Sequence, residues 1–269
     1  MNKRSKPKPD SGASSVIYTH CNWNLGDHLA HLHYLRKQAV NYPNHQFIHA
    51  AKFDFLSQLI EIIADLPNIS LIDIAYRPDH STDSWKNRDN YFVSHSKWAD
   101  YGWFHIEFYR YLSSLLGLES PFSQPSDLLF DYPSILRKRY PAFDFLVINS
   151  PPKSGQLQGF NPNEFEDLIA KLLASGHSVI TTAPSSHAVP CTARSSMSVT
   201  SIGSLSLGCQ YIVGVSTGPS WPTFNVWNAK TVQMRLLMLD RERVLIAPNT
   251  EHARNMKEVK AILSDRGLL

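Results

Sequence analysis

A chain of 269 residues that is 43% apolar and 18% charged, with 12 Gly and 17 Pro, carries enough apolar material for one large core or two modest ones. That balance excludes disorder, collagen and coiled coil. The formal charge of +3 is already supplied by Lys3, Arg4, Lys6 and Lys8 against Asp10, so the remainder is formally neutral and a nucleic-acid-coating surface is ruled out.

The opening stretch MNKRSKPKPDSGASS is basic, but no apolar segment of signal-peptide type follows it, so it reads as a flexible tail. The longest apolar stretches, such as FLSQLIEII at 55–63, are interrupted by polar residues and fall well short of the ~20 residues that span a bilayer. Cys21, Cys191 and Cys209 are too few and too widely spaced for a disulfide framework or a CxxC zinc site. Reduced thiols in a cytoplasmic protein are the simplest expectation, with room for peripheral contact between the basic tail and an anionic membrane surface.

From residue 16 the chain alternates short β-like runs with helical patterns: Val16–Cys21, Gly26–Val40, Gln46–Ala51, Phe53–Leu66 and Ile69–Ala75. That order is βαβαβ, which predicts parallel strands, right-handed crossovers and a ligand at the carboxyl edge of the sheet. Tyr76–Tyr140 lacks the alternation and is rich in aromatic and charged residues. A second α/β pattern follows Pro141, with strands over Asp144–Asn149, His177–Thr182, Tyr211–Val215 and Thr231–Leu237 and a helix over Asn163–Ala174. Asn161-Pro162-Asn163-Glu164 starts that helix well, and Gly176 stops it. The segment Glu251–Asp265 reads as one amphipathic helix. The division expected is a tail over 1–15, a first unit over 16–140 and a second over 141–269.

The loop Asn22-Trp23-Asn24-Leu25-Gly26-Asp27-His28 lies between the first strand and its helix. Gly26 would let the backbone turn and approach a ligand, and Asp27 in the first helical turn is placed to take a proton from a hydroxyl. The plainer reading is that Asp27 caps the helix. His20, His28, His31 and His33 invite a metal, but only His28 and His31 share a face and no carboxylate stands at ligand spacing, so no metal site is expected. Cys21 and Cys209 read as small buried groups.

In the second unit, Tyr211–Val215 runs directly into Ser216-Thr217-Gly218-Pro219-Ser220-Trp221. Hydroxyls, a glycine and free N–H groups after a parallel strand suit phosphate oxygens, although the same composition also makes an ordinary turn. The earlier strand ends in Asn149-Ser150-Pro151-Pro152-Lys153, where Lys153 could offset phosphate charge or remain a solvated loop lysine.

Leu25-Gly26-Asp27-His28-Leu29-Ala30-His31-Leu32-His33-Tyr34-Leu35 resembles the stretch that opens heptosyltransferase-like enzymes of glycosyltransferase family 9, and Ser198–Phe224 resembles that family's late phosphate-loop segment. The resemblance implies a GT-B-like α/β fold of two Rossmann-like domains facing across a cleft. It further implies inverting, metal-independent sugar transfer from a nucleotide-sugar co-substrate, with no other cofactor, to a glycan or glycolipid acceptor in cell-surface polysaccharide biosynthesis. Asp27 then matches the proposed catalytic base. Lys153, Ser216, Thr217, Gly218, Ser220 and Trp221 form the donor side, and Asn24, Gly26, His28, Trp98 and Trp103 the acceptor side. Trp98 and Trp103 come from the aromatic segment, most of whose rings are expected in the core. Ser216 stands where the family has Asp and Trp221 where it has His. An Asn-x-Gly-Asp loop also resembles polysaccharide pyruvyltransferases, and the two departures leave room for a non-catalytic glycan- or partner-binding protein.

Overall fold

The computed structural model describes residues 15–21, 24–76, 91–93, 106–152, 157, 159–239 and 247–269. The chain divides between Leu128 and Leu129 into two compact units. Among the described residues no helix is long and apolar enough to cross a membrane.

The first unit holds β1 (Val16–His20), α1 (Leu25–Asn41), β2 (Gln46–Ala51), α2 (Phe53–Ile63), β3 (Ile69–Asp73), β4 (Tyr91–Val93) and α3 (Ile106–Leu116). Its sheet runs β3-β2-β1-β4, all parallel, with Val16 opposite Gln46 and Phe47 opposite Ile69. Helix α2 is amphipathic and buries Leu59, Ile62 and Ile63. Helix α1 is buried on nearly every side, although Asp27, His28, His31, His33, Arg36 and Gln38 lie along it. It sits between the sheet and an aromatic layer in which Tyr109 stacks on Phe122 at 4.1 Å and Tyr34 stacks on both. Phe108 and Tyr109, two rings of the aromatic segment, are thus core residues.

The second unit holds β5 (Phe143–Ile148), α4 (Pro162–Ala174), β6 (Val179–Thr181), α5 (Val199–Leu205), β7 (Cys209–Val215), β8 (Met234–Met238), β9 (Thr250–Ala253) and α6 (Met256–Asp265). Its parallel sheet runs β6-β5-β7-β8-β9. The Asn161 side chain caps α4 by accepting the Asn163 N–H at 3.0 Å, and Phe165, Leu168, Ile169 and Leu172 face the core that Val213 and Leu236 also enter. Glycine is required at position 214 of β7. Its φ is +147° and a Cβ there would lie 2.2 Å from the carbonyl oxygen of Ile148 on β5.

Two expectations are corrected. Leu129–Tyr140 packs with the second unit, because Phe130 donates its N–H to Phe224 and accepts that of Val226, at 2.7 and 2.9 Å. The chain thus changes units twelve residues ahead of Pro141 in physical terms that no turn signal announced: a single bridge, Phe130 to Asn225. Within Glu251–Asp265, residues up to Ala253 form strand β9 beside β8, and Asn255 opens α6 by accepting the Glu258 N–H at 2.9 Å. An open sheet edge captured residues that helical periodicity also suited.

Candidate functional site

In parallel sheets of this kind ligands bind beyond the carboxyl ends of the strands, where successive connections leave in opposite directions. The first sheet reverses between β1 and β4, and the second between β5 and β7. The loop holding Asp27 follows β1, and the loop holding Thr217 follows β7. Each predicted loop therefore stands at the switch point of its own unit.

Asp27 is the third residue of α1, 5% exposed. Its Oδ2 accepts the N–H of Asn24, the N-cap residue, at 3.0 Å, whereas Oδ1 is buried with no hydrogen-bond partner among the described residues. Half of the carboxylate therefore does the capping the plainer reading assigned to it, and half is left open. Burial raises its pKa to about 6, while the Asn24 N–H and the charge of Lys52 pull the other way. Gly26 lies inside the first turn of the helix, buried, and not in a sharp bend ahead of it.

Beside Asp27, His28 is fully buried. Its Nδ1 meets Nε2 of His49 at 3.3 Å, Nδ1 of His49 meets the Thr19 hydroxyl at 2.8 Å, and Nε2 of His28 has no partner among the described residues. Burial pushes His28 down to about 3 and His49 well below its ordinary value, so both rings are neutral. Sequence reasoning missed Thr19 and His49. The signal was the parallel register, which sets Thr19 directly opposite His49 on β1 and β2.

At the second switch point Ser216 is buried and its N–H is accepted by the Met238 carbonyl at 3.3 Å. Thr217 is 8% exposed and its Oγ1 has no partner among the described residues. The hydroxyl of Ser220 is already used, accepting the Thr217 N–H at 3.1 Å and donating to the Thr217 carbonyl at 2.7 Å. Trp221 is packed into the unit's interior near Phe224. Of the donor-side residues, Ser216, Thr217 and Gly218 stand at the strand end, while Ser220 and Trp221 shape the turn from inside. Lys153, Trp98 and Trp103 lie outside the described residues.

The same edge of β5 is pinned by Asn149, whose amide accepts the Ala183 N–H at 2.8 Å and donates to the Ala183 carbonyl at 3.1 Å. Sequence reasoning also missed Arg235. Fully buried on β8, it donates to the carbonyls of Thr223 and Pro248 at 3.0 Å and to the Asn228 side chain, holding down the segment that follows Thr217. Among the described residues no group of three or more His, Cys, Asp or Glu is arranged to hold a metal.

No family model matches the sequence, and no curated protein matches it. Solved structures do. The Escherichia coli heptosyltransferase WaaC with ADP-2-deoxy-2-fluoro heptose is similar at a TM-score of 0.52 and 12% identity, over 93% of this chain and 99% of that one. The E. coli ADP-heptose LPS heptosyltransferase II gives 0.56 and 11%, over 94% and 99%. A glycosyl transferase family 9 structure from Veillonella parvula gives 0.54 and 9%, over 94% and 90%. At these identities the likeness is one of architecture, and the chain has the parallel α/β fold found in heptosyltransferases.

Proposed function

We propose that the chain is a glycosyltransferase of the GT-B type, moving a sugar from a nucleotide-sugar donor to a glycan or glycolipid acceptor in cell-surface polysaccharide assembly, with inversion and without a metal. The observation that carries this reading is the open Oδ1 of Asp27 at the first switch point. Nothing in helix capping calls for a buried carboxylate oxygen without a partner. An acceptor hydroxyl donating to Oδ1 would satisfy it, and a carboxylate with a pKa of about 6 stays largely ionised at neutral pH while being a stronger base than an ordinary one.

In the proposed step the acceptor oxygen attacks the anomeric carbon as its proton passes to Asp27, and the bond to the nucleoside diphosphate breaks on the opposite face. The Thr217 hydroxyl and the Gly218 N–H receive the departing diphosphate, with Lys153 neutralising its charge. His28 Nε2 positions the acceptor. The reading requires the two switch points to serve one pair of substrates. It is supported by the heptosyltransferase fold and by a neighbour solved with ADP.

The test is Asp27→Asn. Transfer from a panel of adenosine, uridine and guanosine diphosphate sugars is expected to fall by about 10²–10⁴ while nucleoside diphosphates still raise the melting temperature. Near-normal transfer would overturn the base assignment. Stabilisation by phosphoenolpyruvate alone would indicate pyruvyl transfer instead.

A further inference from the structure

The amino edge of the second sheet, the end opposite Thr217, carries a cavity of about 500 Å³. Arg137, Lys138 and Arg139 line one side, with Tyr140, Ser204 and Gly208. The three cations are exposed and consecutive, and none makes an ion pair or a side-chain hydrogen bond with a described residue. One cation near the carboxyl end of α5 would be accounted for by the helix dipole. Three together leave a concentrated positive field with no acidic side chain at ion-pair distance among the described residues.

The cavity wall is built, not draped. The Lys138 N–H donates to the Ser204 hydroxyl at 3.2 Å and that hydroxyl donates to the Leu136 carbonyl at 3.0 Å, so the basic loop is clipped to α5 on both sides of Arg137. Gly208 lets the chain at Pro141 press in, since a Cβ there would already stand 3.1 Å from the Pro141 carbonyl oxygen. Arg137, Lys138 and Arg139 line the same hollow, and guanidinium and ammonium groups suit the oxygens of a phosphate. Two residues before Arg137 stands Ile135, 84% exposed, the most exposed large apolar side chain among the described residues.

We infer that the Arg137–Lys138–Arg139 cavity is a phosphate-binding site, whose ligand is the phosphate of an anionic lipid headgroup, with Ile135 entering the lipid surface beside it. An exposed apolar side chain followed closely by a run of cations is a pattern by which a peripheral protein rests on an anionic leaflet. The seven residues of β7 separate this edge from Thr217 by about 20 Å at ~3.3 Å per residue, so the cavity is independent of the donor loop and of the reading given to it.

The full-length chain is tested as wild type, as Arg137→Gln/Lys138→Gln/Arg139→Gln, as Ile135→Ser, and as a tail variant with Lys3, Arg4, Lys6 and Lys8 changed to Gln. The probes are phosphatidylcholine vesicles with and without phosphatidylglycerol, and inorganic phosphate in solution read by calorimetry in a Thr217→Ala background. Wild type is expected to sediment with the anionic vesicles only, the triple variant to bind them roughly a hundredfold more weakly at about fivefold per cation, and Ile135→Ser to weaken vesicle binding while leaving free phosphate untouched. Single variants at the three positions, each expected to lose about fivefold, stand in if the triple variant melts early. Joint loss of free phosphate and vesicles in the triple variant supports the site, whereas a wild type that binds free phosphate but no vesicle would overturn the lipid assignment in favour of a soluble phosphate. Undiminished binding by the triple variant, loss confined to the tail variant, or no binding by wild type to either probe would overturn the proposal.

Discussion

Nδ1 of His28 and Nε2 of His49 lie 3.3 Å apart inside the first unit, with the Thr19 hydroxyl 2.8 Å beyond His49. One of two neutral tautomer patterns must run through this chain. Either the Thr19 hydroxyl donates inward and Nε2 of His28 carries a proton, or His28 donates toward Thr19 and presents a bare nitrogen. In both, the state of the atom next to the Asp27 site is set by residues that a ligand never touches.

Acid should weaken the fold through these rings. Burial holds His28 and His33 at about 3 and His49 well below its usual value, so the native state binds fewer protons than the unfolded chain. Their contribution is complete above about pH 6.5 and is lost as pH falls toward 3, at roughly 1.4 kcal/mol per pH unit for each ring. Asp27 works against them with one proton. A net of roughly two is expected near pH 5, and urea midpoints measured from pH 7 to pH 5 should fall accordingly; a flat profile would contradict the buried, neutral assignment.

Asp27→Asn should stabilise the protein at neutral pH. The native pKa of about 6 lies above the ordinary value of 3.8, so the carboxyl contributes fully below about pH 4 and loses that contribution as pH rises through 6. At pH 7.5 the variant should gain on the order of 1–3 kcal/mol, with the gain vanishing below pH 4. A residue retained only as a helix cap would give the opposite sign, about 1 kcal/mol of loss.

Gly214→Ala should damage the second unit. The added methyl group would sit 2.2 Å from the Ile148 carbonyl oxygen, backbone that cannot give way without parting β5 from β7. The cost should be about 3 kcal/mol or more, seen as a melting temperature lower by roughly 10 °C.

Arg235→Leu should cost about 3–5 kcal/mol, because the Thr223 carbonyl and the Asn228 side-chain oxygen stay buried while their shared donor disappears. Arg235→Lys should recover only part, since one ammonium lacks the fork that reaches both segments. Thermal melts with and without nucleoside diphosphate would show whether the Thr217 turn loosens before the sheet does.

The local pattern carried much of this. Strands and helices alternate at their own periods, and β2 is found over the residues expected, because half-buried strands and amphipathic helices write their exposed and buried faces into neighbouring residues. Asp27 and Thr217 were legible because a loop that follows a parallel strand must open at the carboxyl edge. Ser220 and Trp221 were read from the same segment, yet their side chains turn inward, and a linear motif does not say which hydroxyl the fold itself consumes.

What the sequence alone determined is the class of fold and the two loops at which chemistry is proposed, since both follow from the order of elements along the chain. Only the tertiary structure decided that Oδ1 of Asp27 is left without a partner among the described residues, that Thr19, His49 and Arg235 stand behind the two loops, that residues 129–140 pack with the second unit and that three cations with no ion pair to a described residue share a hollow. Desolvation, strand register and hydrogen-bond satisfaction depend on residues far apart in sequence, and those neighbours exist only once the chain has folded.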